Sequence, residues 1–229
     1  MKSSLFPVTV IDNFYQDPDY VRKVGLESIS DFSHKAEGGH WPGIRSSVLE
    51  EISPEIYHYF SKSLLSIFYN EDTELNYYMY SSFQLISPRH DEKYHPRNMG
   101  WVHSDGCVFA GLIYLTKDPE NDTGTSIYTP KNGIVKYEKS NIDVKQKVYR
   151  GENVDDEEFI SAWEKNNNNF YETIKIQNVY NRCILFDGRS GHHAAQTFGS
   201  KNKKRLTQVF FCTELNVGGH GYPLNRELM

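Results

Sequence analysis

Long apolar runs are missing from this sequence of 229 residues. A helix that crosses a membrane needs about 18 or more consecutive apolar residues, and no stretch of the chain provides them. The first residues also lack the apolar core and the small-residue cleavage site of a secretory signal. We therefore expect a cytoplasmic protein that does not associate with membranes.

The chain also has few cysteines and no excess of positive charge. The three cysteines, Cys107, Cys183 and Cys212, are too few and odd in number for a disulfide framework, and none lies in a Cys-x-x-Cys pair. A reducing compartment is the simplest interpretation. The formal net charge is −5, which argues against bulk nucleic-acid binding because that needs a basic face.

Aromatic residues, in contrast, are abundant at 14% of the chain, with 16 Tyr and 13 Phe. Tyr and Phe favour strands, so this composition predicts a β-rich fold. The length allows one or two domains. We expect a single domain over 1–229, with a strand and helices over about 1–75 and a β-barrel core over about 76–215. A polar, charged stretch over about 131–170 is interpreted as an insertion between strands, with a short surface helix near 155–165.

The order of the predicted elements indicates the fold class. Asp17-Pro18 and Ser53-Pro54 each combine a capping residue with a proline suited to the first helical turn, and predict two early helices. The regular alternation of strands and helices that forms a parallel α/β sheet is absent. We therefore predict a mainly β fold with flanking helices around a double-stranded β-helix core of the jelly-roll or cupin type. The predicted strands cover 5–11, 76–86, 101–115 (two strands with a bend near Gly106), 124–128, 171–179, 182–187 and 204–213, with a loop over 33–47.

The sequence contains one His-x-Asp motif, His103-Ser104-Asp105. In an extended segment both side chains point to the same face, and a second histidine would complete a two-His, one-carboxylate face of the kind that holds Fe(II). His192 and His193 follow a later aliphatic strand, and spacing alone does not choose between them. His90-Asp91-Glu92 is another possible ligand group, but it lies in a polar loop where solvated charges are the simpler interpretation.

The last predicted strand begins with Arg205-Leu206-Thr207. Strand alternation places Arg205 and Thr207 on the same face, and an inward arginine needs an acceptor. A guanidinium can hold a carboxylate through two hydrogen bonds, and the Thr207 hydroxyl could contact the same anion. No acidic residue nearby in the strand is an obvious partner, which leaves room for the carboxylate of a ligand.

These motifs, in this order, resemble those of the Fe(II)- and 2-oxoglutarate-dependent oxygenases. The segments VIDNFYQDPDYVR and WPGIRSS are similar to a group of uncharacterised oxygenase-like proteins, the DUF6445-like group. The resemblance spans most of residues 5–215, apart from the insertion at 131–170.

The resemblance implies that His103, Asp105 and His192 bind iron and are the catalytic residues, with alignment of the turn favouring His192 over His193. It further implies that Arg205 holds the distal carboxylate of 2-oxoglutarate, with O2 as the other co-substrate. Tyr114 could supply a further hydroxyl to 2-oxoglutarate. The implied reaction is oxidative decarboxylation coupled to hydroxylation of a small-molecule or peptide substrate. The chain distance from His192 to Arg205, 13 residues, is slightly longer than the family's common spacing.

Two further residues are candidates for substrate contact. Arg45, in the predicted loop, could meet an acidic group of the substrate or be an ordinary turn residue. Trp101 could line the pocket or serve packing alone. Two other functions remain open: a jelly-roll binding module without catalysis, and a zinc-dependent hydrolase that uses the same triad. The hydrolase gives Arg205 and Thr207 no specific task.

Overall fold

A computed structural model describes residues 8–31, 34–35, 40–133, 135 and 137–217. The described part contains ten strands, five α-helices and a short 3-10 turn at Pro96–Asn98. The strands are β1 (Val8–Ile11), β2 (His34–Lys35), β3 (Ile44–Val48), β4 (Leu75–Ile86), β5 (Phe109–Tyr114), β6 (Thr125–Pro130), β7 (Phe170–Ile176), β8 (Cys183–Asp187), β9 (His192–Ala195) and β10 (Arg205–Val217). The helices are α1 (Pro18–Asp31), α2 (Leu49–Ile52), α3 (Pro54–Leu65), α4 (Lys139–Arg150) and α5 (Asp156–Asn167).

The strands form two antiparallel sheets that pack face to face. The large sheet has the order β1-β8-β5-β10-β4-β3-β2, and the small sheet has the order β7-β6-β9. Leu112 and Val209 of the large sheet join Ile127 and Ile176 of the small sheet in an apolar cluster between them. The prediction of a mainly β fold with flanking helices and a jelly-roll core is confirmed.

Helices cover the outer face of the large sheet. Both predicted helix starts are confirmed: the Asp17 side chain accepts a hydrogen bond from the Tyr20 amide at 2.9 Å, and Ser53 accepts from the Ile56 amide at 3.5 Å. Phe60 of α3 packs against Phe210 of β10, with ring centres 5.1 Å apart. None of the helices in the described residues has the length and apolarity that crossing a membrane requires.

Three local expectations are wrong. The predicted loop at 33–47 contains β2 and most of β3, two strands that extend the large sheet beyond β4. Residues 101–107 do not form a regular strand and contribute only an isolated bridge at His103. The insertion contains α4 in addition to the predicted α5, because Val144 and Val148 give a polar segment just enough apolar surface at helical spacing.

The packing of Phe210 generates a stability prediction. Its side chain is fully buried between the large sheet and α3. We expect Phe210→Ala to lower the free energy of unfolding by about 3–5 kcal/mol, because the cavity adds to the lost apolar burial. Denaturant unfolding measures this loss. Tyr78→Ala on β4 is the control, because its side chain is 62% exposed and its loss should be small. Equal losses in the two variants would contradict this packing.

Candidate active site

A backbone bridge brings two histidines together at the edge of the small sheet. The His103 amide donates to the His193 carbonyl at 3.1 Å, and the His193 amide donates to the His103 carbonyl at 2.8 Å. Residues that exchange both hydrogen bonds in an antiparallel pair stand directly opposite each other with their side chains on one face. The imidazole centres of His103 and His193 are accordingly 4.4 Å apart.

The structure therefore places His193, and not the expected His192, beside the His-x-Asp motif. Neighbouring residues of a strand point to opposite faces, so His192 of β9 turns away. Its ring contacts Phe170 instead, with centres 5.1 Å apart. With His193 as the third member, the distance to Arg205 along the chain shortens by one residue.

Asp105 completes the group. Its amide donates to the Gly188 carbonyl at 3.0 Å, and Gly106, with a φ of 72°, turns the chain immediately afterwards. The Asp105 carboxylate oxygens lie 3.5 Å from His103 Nε2 and 3.4 Å from His193 Nε2. The three side chains each offer a ligand atom, and these atoms all lie within 4.8 Å of one another. Within the described residues, no other group of three has this arrangement.

Hydrogen bonds to backbone carbonyls orient both imidazoles. His103 Nδ1 donates to the Trp101 carbonyl at 2.8 Å, and His193 Nδ1 donates to the Gly191 carbonyl at 2.9 Å. A neutral imidazole with Nδ1 protonated has its free lone pair on Nε2, the atom that faces Asp105 in both residues. Such an outer hydrogen bond to the other ring nitrogen is typical of histidines that bind metals.

The charge states also suit a metal. Burial raises the pKa of Asp105, but the attraction of His193 and His103 outweighs burial and holds that pKa well below its usual range. Burial lowers the pKa of His193 to about 4, although the charge of Asp105 opposes this shift. At neutral pH the site therefore presents an ionised carboxylate and a neutral His193, the forms that bind a divalent ion.

The triad opens into a cavity of about 450 Å³ that lies between the two sheets. Arg205 and Thr125 line the same cavity, so a ligand in it could reach the triad and the guanidinium together. Aromatic side chains form much of the wall: Trp41, Tyr80, Trp101, Tyr149, Phe186 and Phe211.

Arg205 is a buried cation without an ionic partner. Its side chain begins β10, is only 4% exposed, and donates from Nε to the Thr123 carbonyl at 2.8 Å. No carboxylate of the described residues lies within 4.0 Å of it. Burial lowers the pKa of Arg205, and neighbouring Tyr114 opposes that shift. A buried guanidinium in this state favours a ligand that supplies negative charge.

Thr207 and Tyr114 are not among the residues that line the cavity. Thr207 is fully buried, and its Oγ1 has no hydrogen-bond partner among the described residues. The Tyr114 hydroxyl donates to Thr125 Oγ1 at 2.9 Å, and its ring centre lies 5.4 Å from the Arg205 guanidinium. Tyr114 thus supports Arg205 and Thr125 through its own contacts. Thr125, which the sequence did not single out, lines the cavity beside Arg205.

The two candidate substrate residues, Arg45 and Trp101, both line the cavity. Arg45 lies on β3, where it pairs with Gln84 of β4. Trp101 is 3% exposed and packs edge-on against Phe159 of α5 at 5.7 Å. Lys145 of α4 also lines the cavity, and no motif in the sequence indicated it.

Comparison with known proteins places the chain in a family. The family model of DUF6445, described as a family of unknown function, matches residues 2–208. The chain belongs to this family. Comparison with curated proteins gave no match.

Solved structures with a similar fold include two prolyl hydroxylases and a protein complexed with 2-oxoglutarate. EvdO2 from Micromonospora carbonacea var. aurantiaca, complexed with 2-oxoglutarate, is similar with a TM-score of 0.52 and 14% identity, over 95% of this chain and 91% of that chain. A Pseudomonas putida prolyl-4-hydroxylase is similar with a TM-score of 0.51 and 11% identity, over 91% and 93% of the two chains. A prolyl hydroxylase from Trichoplax adhaerens, in complex with a hypoxia inducible factor peptide fragment, has a TM-score of 0.51 and 12% identity over 90% and 83%. The resemblance to the DUF6445 group is confirmed by the family model, and the resemblance to the oxygenases is confirmed in the fold.

The position of His193 generates a prediction about metal binding. We expect His193→Ala to weaken Fe(II) binding by at least about 100-fold, because even the outer partners of metal ligands contribute about 10–100-fold. Anaerobic calorimetric titration of the metal-free protein measures this affinity. His192→Ala is the matched control and should bind Fe(II) as the unaltered protein does. If only the His192 variant loses Fe(II) binding, the ligands are His103, Asp105 and His192, as expected from the sequence.

Proposed function

We propose that this protein is an Fe(II)- and 2-oxoglutarate-dependent oxygenase that hydroxylates a small-molecule or peptide substrate. One observation carries the proposal: the His103, Asp105 and His193 group and the unpaired Arg205 line a single cavity. The triad suits a metal, and Arg205 suits a carboxylate. A dicarboxylate co-substrate that also contacts the metal would use both.

The donor set fits Fe(II). Two neutral imidazole nitrogens and a carboxylate oxygen on one side of an ion leave positions open on its other side. His103, Asp105 and His193 would hold the ion, and the backbone carbonyls of Trp101 and Gly191 would keep both imidazoles oriented towards it.

Arg205 fits the distal carboxylate of 2-oxoglutarate. The buried guanidinium has no carboxylate neighbour within 4.0 Å in the described chain, and Thr207 Oγ1 is buried there without a partner. A buried charge left in this state is costly, and a bound carboxylate would compensate the Arg205 charge. Thr207 is not among the residues that line the cavity, so the carboxylate is assigned to Arg205. Tyr114 would act indirectly, since it contacts Arg205 and fixes the Thr125 hydroxyl.

When bound, iron and 2-oxoglutarate supply oxidative decarboxylation coupled to hydroxylation. The protein's own residues position the reactants and limit the access of water. Phe186 packs against His193 with ring centres 4.3 Å apart, which keeps one side of the triad apolar. Arg45 and Trp101 line the remaining cavity wall and are the proposed substrate contacts. A zinc hydrolase would leave Arg205 and Thr207 without a task.

The test is anaerobic titration of the metal-free protein with Fe(II) and then 2-oxoglutarate. We expect the weak visible charge-transfer band of the chelate to form. If Fe(II) binds and no band forms, the proposed use of 2-oxoglutarate is wrong.

Arg205→Met tests the carboxylate site in the same titration. We expect the apparent Kd for 2-oxoglutarate to rise at least about tenfold, because hydrogen bonds to charged groups contribute about 1.5–3 kcal/mol. Fe(II) affinity should stay nearly unchanged. Lys204→Met is the matched control, since Lys204 is the adjacent cation and its side chain is exposed. If Arg205→Met leaves the Kd unaltered, the carboxylate site lies elsewhere.

A further inference from the structure

Two more cations face the cavity that holds the triad. Arg45 of β3 and Lys145 of α4 both line it, from segments about one hundred residues apart in the chain. In the described part of the protein, neither has a carboxylate within 4.0 Å. With Arg205, three basic side chains line the cavity, whereas Asp105 is the single carboxylate among its described lining residues.

Arg45 is held in place without being neutralised. Its Nε and Nη2 both donate to Gln84 Oε1, at 3.4 and 3.2 Å, and the Gln84 amide donates in turn to the Pro42 carbonyl at 2.7 Å. The guanidinium lies 4.3 Å from the ring centre of Trp41. These contacts fix its position but supply no negative charge, and most of its donors are left for a ligand.

Lys145 is positioned by the insertion. Val144, Val148 and Tyr149 of α4 pack with Trp101 in an apolar cluster, and Arg89 donates to the Val148 carbonyl at 2.6 Å. The Lys145 ammonium lies 5.7 Å from the ring centre of Tyr149 and makes no hydrogen bond within the described residues. The insertion thus forms one side of the cavity and brings a cation to it.

The surroundings of both groups favour an anion. Burial lowers the pKa of Arg45 to about 10 and that of Lys145 to about 8, and the charge of Asp105 opposes both shifts. A divalent ion at the triad would neutralise Asp105 and remove that compensation. A bound anion would replace that compensation, because a neighbouring negative charge raises the pKa of both groups and keeps Lys145 protonated.

We propose that Arg45 and Lys145 form an anion site for the substrate, which takes a carboxylate or phosphate group attached to an apolar or aromatic portion. Trp41, Trp101 and Tyr149 supply flat apolar surface for that portion. The inference rests on the proposed function, because it assigns this part of the cavity to the substrate and Arg205 to 2-oxoglutarate. It also assigns a role to the insertion, whose helix α4 supplies Lys145.

The test is calorimetric titration of the anaerobic protein loaded with Fe(II) and 2-oxoglutarate, using three probes of similar size. Phenyl phosphate and phenylacetate carry an anion, and 2-phenylethanol is the neutral counterpart. We expect at least one anionic probe to bind at least about tenfold more tightly than the alcohol. The stronger of the two identifies phosphate or carboxylate as the preferred group. No binding of either anion, or equal binding of the alcohol, would overturn the proposal.

Substitutions of the two cations test where the anion binds. Arg45→Met and Lys145→Met should each lower the affinity for the anionic probe at least about tenfold. Lys145→Arg should retain binding because the charge is kept. Arg189→Met and Lys147→Met are the matched controls, since both side chains are exposed, and Lys147 lies on the same helix as Lys145. Thermal melting shows whether each variant is folded. If Arg45→Met does not fold, Lys145→Met alone tests the site. Binding unchanged in the folded variants would contradict the site.

The charge-transfer band of the same samples separates the two proposals. A band in every variant, together with no anion binding, would overturn the anion site and leave the oxygenase proposal intact. Anion binding that depends on Arg45 and Lys145 in a protein that forms no band would leave the anion site standing and contradict the oxygenase proposal.

Discussion

The paired backbone hydrogen bonds between His103 and His193 hold the candidate active site together. They join the loop before β5 of the large sheet to β9 of the small sheet, and so set the separation of the two imidazoles. Asp105 is fixed to the same frame through the Gly188 carbonyl at the end of β8. Because side chains alternate along a strand, a shift of one residue in this pairing would turn His193 away and present His192 instead.

The two faces of the large sheet differ in the side chains that they bury. The outer face, under α1 and α3, carries an apolar core in which Phe60, Phe83 and Phe210 are fully buried. The inner face towards the small sheet carries Arg205 and Thr207, buried polar groups that are unfavourable without partners. The stability of the outer core allows the inner face to keep a buried guanidinium that hydrogen-bonds to the Thr123 carbonyl but meets no carboxylate among the described residues.

The polar insertion is tied to the loop that carries His103. Two asparagines at the end of α5 make structural contacts: Asn166 donates to the Val102 carbonyl at 3.1 Å and Asn167 donates to the Gly100 carbonyl at 3.0 Å. Trp163 donates to the same Gly100 carbonyl at 3.0 Å. These bonds satisfy the irregular backbone just before His103, which has no regular strand partner there. The insertion therefore supports the candidate metal centre and also contributes Lys145 to the cavity.

The sequence by itself determined the features that depend on local pattern: the β-rich class, both capped helices, most of the core strands, and the motifs His103-x-Asp105 and Arg205-x-Thr207. Side-chain alternation and capping act over a few residues, so a single sequence is enough to read them. Only the tertiary structure decided between His192 and His193, because strand register depends on a partner far away in the chain. It also decided that Lys145 of a polar helix and Arg45 of the unrecognised strand β3 line one cavity. Contacts between segments so far apart in the sequence arise from packing and leave no local pattern to detect.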